Sequence, residues 1–242
     1  MTDVAHPRRL GRNHDALYRP VLVWEWPVRL FHWVNALCIV VLFLTGLYIA
    51  EPVLTPQGES GERLLMATMR QIHFSAGFVF AVAVLLRVYW WFFGNVFARG
   101  GAPCLWCGWW WRAVFTQLRE YVSGRMGEPH LGHNALAGAT YLGVILLSFA
   151  QVFTGFALYS ESDPTGPMGN WFGWVIPLLG GSMRAHAWHH LMAWGFVVFV
   201  IAHVYIVVVL SHKHLNGLVS SIVSGYKFER VGGKEQRHGR GP

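Results

Sequence analysis

The chain has 242 residues, of which 54% are hydrophobic and only 13% charged, about half the charged share of an average soluble domain. With 13 Trp in an aromatic share of 15%, this balance excludes a disordered or ordinary soluble protein and puts the chain among integral membrane proteins. The net charge of +7 lies mostly beside apolar runs, which speaks for membrane topology rather than nucleic-acid binding.

Residues 1–27 form a polar, Arg-bearing N-terminal segment. Arg8-Arg9 is followed by polar residues instead of a short apolar core, so no secretory signal is expected. Four stretches are then long enough and poor enough in charge to cross a bilayer, which takes about 20 residues at about 1.5 Å each. They are Leu30 to Ala50, Gln71 to Phe93 with Arg87 as the one interruption, Ala135 to Tyr159, and Ala185 to Leu210. Between the second and third stand Cys104 and Cys107, one CxxC without a second pair, so a zinc ribbon is not supported. Cys38 lies inside an apolar run. Trp106, Trp109, Trp110 and Trp111 around the CxxC read as an anchor at the membrane surface. The run Trp171 to Met183, with Pro177 and Gly180-Gly181, is too short to span and is expected to be re-entrant or interfacial. Residues 212–242 form a basic tail, and Gly232 to Pro242 is expected to be disordered. The expected fold is all-α: an integral membrane four-helix bundle over residues 28–211.

Basic residues set the orientation. The N-terminal segment holds Arg8, Arg9, Arg12, Arg19 and Arg29; the loop after the second span holds Arg99, Arg112, Arg119 and Arg125; the tail holds Lys213, Lys227, Arg230, Lys234, Arg237 and Arg240. The opposite side has only Arg63, Arg70 and Arg184. Both termini are therefore expected in the cytoplasm.

Of the 13 histidines, His32, His73, His189 and His203 lie at or near membrane depth, where an ionisable side chain is costly and usually functional. His189 and His203 are 14 residues apart, about 40° short of four turns, so they share a helix face about 21 Å apart along the axis. His190 is turned from His203 by about 140° and His186 by about 100°, so the register selects His189. The alternating direction of the spans then pairs His32 with His203 near the cytoplasmic face and His73 with His189 near the outer face. Two opposed imidazoles in an apolar bundle fit bis-histidine haem b better than zinc, which favours four ligands. Covalent haem attachment is not expected, because Gly108 follows Cys107 where CxxCH would need histidine.

Fourteen residues beyond His32 is Gly46, and beyond His73 is Arg87. Gly46 admits a close porphyrin approach or serves helix packing through a small residue. Arg87 pairs with a haem propionate or snorkels to the cytoplasmic interface.

The segments WPVRLFHWVNAL from Trp26, QIHFSAGFVFAVAVLLRVYW from Gln71, TGFALYSE from Thr154, FGWVIPLLGGS from Phe172 and HAWHHLMAWGFVVFVIAHVY from His186 resemble the b-type cytochrome subunit of membrane-bound nickel–iron uptake hydrogenases. The resemblance runs from about Tyr18 to Phe228. It implies a di-haem four-helix cytochrome of the bacterial inner membrane that anchors the hydrogenase small and large subunits at the outer face. It also implies transfer of electrons from their iron–sulfur chain to quinone. On the family's pattern the axial ligands fall on His32, His73, His189 and His203; the CxxC is outside that pattern. The alternatives are the same module serving a formate dehydrogenase or thiosulfate reductase, a histidine-based metal or proton transporter, and a haem-free anchor.

Overall fold

A computed structural model describes residues 8–9, 17–52, 59–99, 104–124, 132, 134–214 and 217–231. The expectation of disorder from Gly232 to Pro242 lies outside them. In chain order the elements are β1 (Arg8–Arg9), β2 (Leu17–Leu22), α1 (Trp26–Ala50), α2 (Glu59–Phe93), α3 (Val96–Arg99), α4 (Gly108–Val122), α5 (Ala135–Ser160), α6 (Pro167–Phe172), α7 (Val175–Leu178), α8 (Ser182–His214), α9 (Leu218–Ser224) and β3 (Tyr226–Val231).

Helices α1, α2, α5 and α8 are long and apolar enough to cross a membrane. They are apolar nearly all round: at most 22% of any span's most apolar window is buried inside the protein, so the remaining apolar surface needs a nonaqueous surrounding. Exposed Leu37, Val40, Val82, Leu85, Leu146 and Val198 are examples. The helices overrun the charge-poor stretches, most at the start of α2, which begins at Glu59 where the stretch begins at Gln71. A helix goes on satisfying its own backbone after its side chains become polar, so the lack of charge marks the apolar layer and not the helix ends.

The chain divides into two units, each discontinuous in sequence. One comprises residues 30–92 and 139–203. Its core is Cys38 of α1, Phe80 and Val84 of α2, and Phe196 of α8, with Val144 and Leu147 of α5 packed against them. The run from Trp171 to Met183 takes in the end of α6, all of α7 and the start of α8. Phe172 of α6 packs edge-on to Phe153 and Phe156 of α5, with ring centres 5.3 and 5.1 Å apart. Gly180 and Gly181, at φ +84° and +109°, make the turn into α8 in a region that L side chains rarely adopt.

The other unit comprises residues 1–29, 93–138 and 204–242. It contains an antiparallel sheet of order β1-β2-β3, with Leu17 opposite Val231 and Leu22 opposite Tyr226. This joining of the two terminal segments is absent from the expectation above. Arg29 donates to the Val223 carbonyl of α9, and Val23 and Trp24 N–H groups both donate to the Gly225 carbonyl, at 2.9 and 3.0 Å. Helix α4 buries Trp110 and Val114 while Trp106 and Trp109 stay exposed. Cys104 and Cys107 are joined as a disulfide in the turn before α4, and Trp111 Nε1 clamps that turn by donating to the Leu105 carbonyl at 3.0 Å. Asn134 caps α5, its side-chain oxygen accepting from Ala137 N–H at 2.8 Å.

Candidate functional site

Both histidine pairs form within the unit of residues 30–92 and 139–203. His32 of α1 faces His203 of α8 with ring centres 6.3 Å apart. His73 of α2 faces His189 of α8 at 6.4 Å. With metal–nitrogen bonds of about 2.0 Å and ring centres about 1.15 Å beyond each nitrogen, imidazoles on opposite sides of one ion stand about 6.3 Å apart, and at a tetrahedral angle about 5.1 Å. The observed centre-to-centre spacings are nearer the first of these values. Among the described residues no group of three or more His, Cys, Asp or Glu is placed to share a metal, so each pair offers two nitrogen donors where zinc favours four ligands.

The two histidines of α8 that the register set aside, His190 and His186, lie elsewhere. His190 is exposed, and its Nε2 accepts a hydrogen bond from Trp194 Nε1 at 3.1 Å. His186 is exposed too, its Nδ1 within 3.0 Å of the Ser182 carbonyl.

Side chains that the sequence reading did not single out surround the second pair. Thr45 Oγ1 lies 2.9 Å from His73 Nδ1, and Thr154 Oγ1 lies 2.9 Å from His189 Nδ1. A Cβ on Gly46 would stand 3.2 Å from His73 Cε1, and one on Gly155 would stand 3.1 Å from His189 Cε1. The space beside Gly46 thus admits the His73 imidazole. The signal for Thr154 and Gly155 was present: a Thr-Gly pair occurs in α1 and again in α5. Gln151 Nε2 lies 3.3 Å from His189 Nε2.

Arg87 is half-buried, its guanidinium carbon 4.8 Å from the centre of the Tyr141 ring. It lines a cavity of about 100 Å³ together with Asn35, Tyr141, Ser148 and Phe196. Asn35 lies one turn from His32, and Phe196 two turns from His203. The cavity therefore lies near the depth of the His32 and His203 pair.

Residues 23–225 match the family described as prokaryotic cytochrome b561. The chain belongs to that family. It is 44% identical over 226 residues to the probable Ni/Fe-hydrogenase B-type cytochrome subunit of Cupriavidus necator, covering 90% of this chain and 89% of that relative. Against the corresponding protein of Azotobacter chroococcum it is 40% identical, covering 90% of each chain. Against the probable Ni/Fe-hydrogenase 1 B-type cytochrome subunit of Escherichia coli K12 it is 37% identical, with 88% and 94% covered. This cytochrome b561 is a helical membrane protein, and the four apolar helices that its composition called for are the ones observed.

Proposed function

We propose that this cytochrome b561 is the membrane subunit of a nickel–iron hydrogenase in the bacterial inner membrane, carrying electrons from the enzyme's small subunit to quinone and anchoring the small and large subunits at the outer face. The observation that carries the electron-transfer reading is the pair of imidazole spacings, 6.3 and 6.4 Å. The hydrogenase partner is supported by the names of the relatives.

His32 with His203, and His73 with His189, would each hold one haem b. Haem so held would supply one-electron transfer. The work of the protein is placement. Helix α8 supplies one ligand to each level, 14 residues or about 21 Å apart, so the levels lie near opposite faces of the membrane. His32, His73 and His189 are half-buried in the bundle while His203 is exposed on α8, and Arg87 offers a guanidinium to a propionate at the level of His32 and His203. Excess Lys and Arg on the terminal side places that level toward the cytoplasm.

Co-purification with the hydrogenase tests this reading. Hydrogen gas should reduce the b-type absorption bands and a water-soluble quinone should reoxidise them. Bands reducible by dithionite but inert to hydrogen would overturn the hydrogenase assignment.

A further inference from the structure

The surroundings of His73 and His189 repeat. Each ring meets a Thr-Gly pair on a neighbouring helix, Thr45-Gly46 of α1 or Thr154-Gly155 of α5. A threonine hydroxyl has a single hydrogen, and in both places a carbonyl of its own helix takes it: Thr45 Oγ1 donates to the Val41 carbonyl at 2.6 Å, and Thr154 Oγ1 to the Ala150 carbonyl at 2.8 Å. With that hydrogen committed, each oxygen can only accept from the imidazole at 2.9 Å. The ring hydrogen is then on Nδ1 and the lone pair on Nε2. The glycine of each pair supplies the clearance, its missing Cβ leaving room at 3.2 or 3.1 Å for the ring edge.

We infer that Thr45 and Thr154 are paired positioning residues, which hold His73 and His189 with Nε2 presented and tune the electron affinity of the group bound between them. This rests on the reading above that the two histidines are axial ligands. A hydrogen bond accepted from Nδ1–H fixes the tautomer and ring orientation and raises the ligand's basicity. A more basic ligand favours the ferric state. Removing the acceptor should therefore shift the equilibrium of that haem toward the ferrous form.

The test is a redox titration of the intact protein in detergent, with Thr45→Val, Thr154→Val and the corresponding Ser variants. Both Val variants should raise the midpoint of the same one of the two b-type components, each by up to about tenfold in the oxidised-to-reduced ratio, or about 59 mV for one electron. The other component should stay in place. The Ser variants, which keep the hydroxyl, should return the midpoint toward that of the parent. Should a Val variant lose one haem, its Ser counterpart should restore it. Midpoints unmoved in both Val variants, both components moved equally, or failure of the Ser variants to restore would overturn this inference while leaving the ligand assignment standing. A parent protein that binds no haem would overturn both.

Discussion

A histidine becomes a dependable ligand when its second nitrogen is occupied and its ring is confined. In α8 this separates neighbours: His189 is bonded through Nδ1 to Thr154 and lies against Gly155, whereas His190 is exposed and bonded to Trp194. His189→Ala should therefore lose the haem of that level, and His190→Ala should retain both. Haem content by pyridine haemochrome measures this, and the opposite pattern would refute the register. The 14-residue step and the direction of the spans anticipated which histidines face each other, His32 with His203 and His73 with His189. Thr45, Thr154 and Gly155 were not legible by those means, because a threonine within an apolar run adds little to its polarity and the helical period relates residues of one helix only. Their partners are 28 and 35 residues away on other helices.

At the scale of elements, the spans declare themselves because lipid demands long runs without charge. The sheet hides for the converse reason. Strand β2 contains Pro20, a residue uncommon inside a paired strand, and β3 turns a lysine inward where an apolar residue would mark the buried face. Lys227 is 3% exposed, with its ammonium 5.4 Å from the centre of the Trp24 ring. Burial pushes its pKa down from 10.5 to about 8. The unfolded chain thus binds more protons between about pH 8 and 10.5, and stability rises with pH across that window. The penalty is fully present below about pH 8 and is relieved as pH passes 10.5, on the order of 3 kcal/mol in all. The thermal midpoint of the detergent-solubilised protein should accordingly climb between pH 7.5 and 10 relative to Lys227→Met. Parallel pH curves for the two proteins would contradict a buried ammonium. The CxxC also gains a character at this scale: unsupported as a zinc ribbon, it closes a disulfide-linked turn that leads into α4.

For the whole molecule, the distribution of basic residues and the two histidine levels together imply a direction for electron flow. The enzyme that supplies electrons should dock beside the His73 and His189 level. The segment from Glu161 to Arg184 is suited to receive it: α6 is pinned by Phe153 and Phe156, while Trp171, Leu178 and Met183 remain exposed. A second candidate docking segment, between Glu51 and Arg70, lies partly outside the described residues, and its second half is the first three turns of α2. A photo-crosslinker at Asn170 should capture a hydrogenase small subunit. Capture only from Arg112 or Arg119 would reverse the docking side and the topology with it.

The central claim is that one chain holds two haems between two independent histidine pairs. Haem per polypeptide, measured with the low-temperature electron paramagnetic resonance spectrum of the oxidised protein, tests it most directly. Two haems b, both low-spin, are expected in the parent, and one low-spin haem in His203→Ala. A single haem in the parent, a high-spin ferric signal from an open coordination position, or retention of both haems in His203→Ala would contradict it.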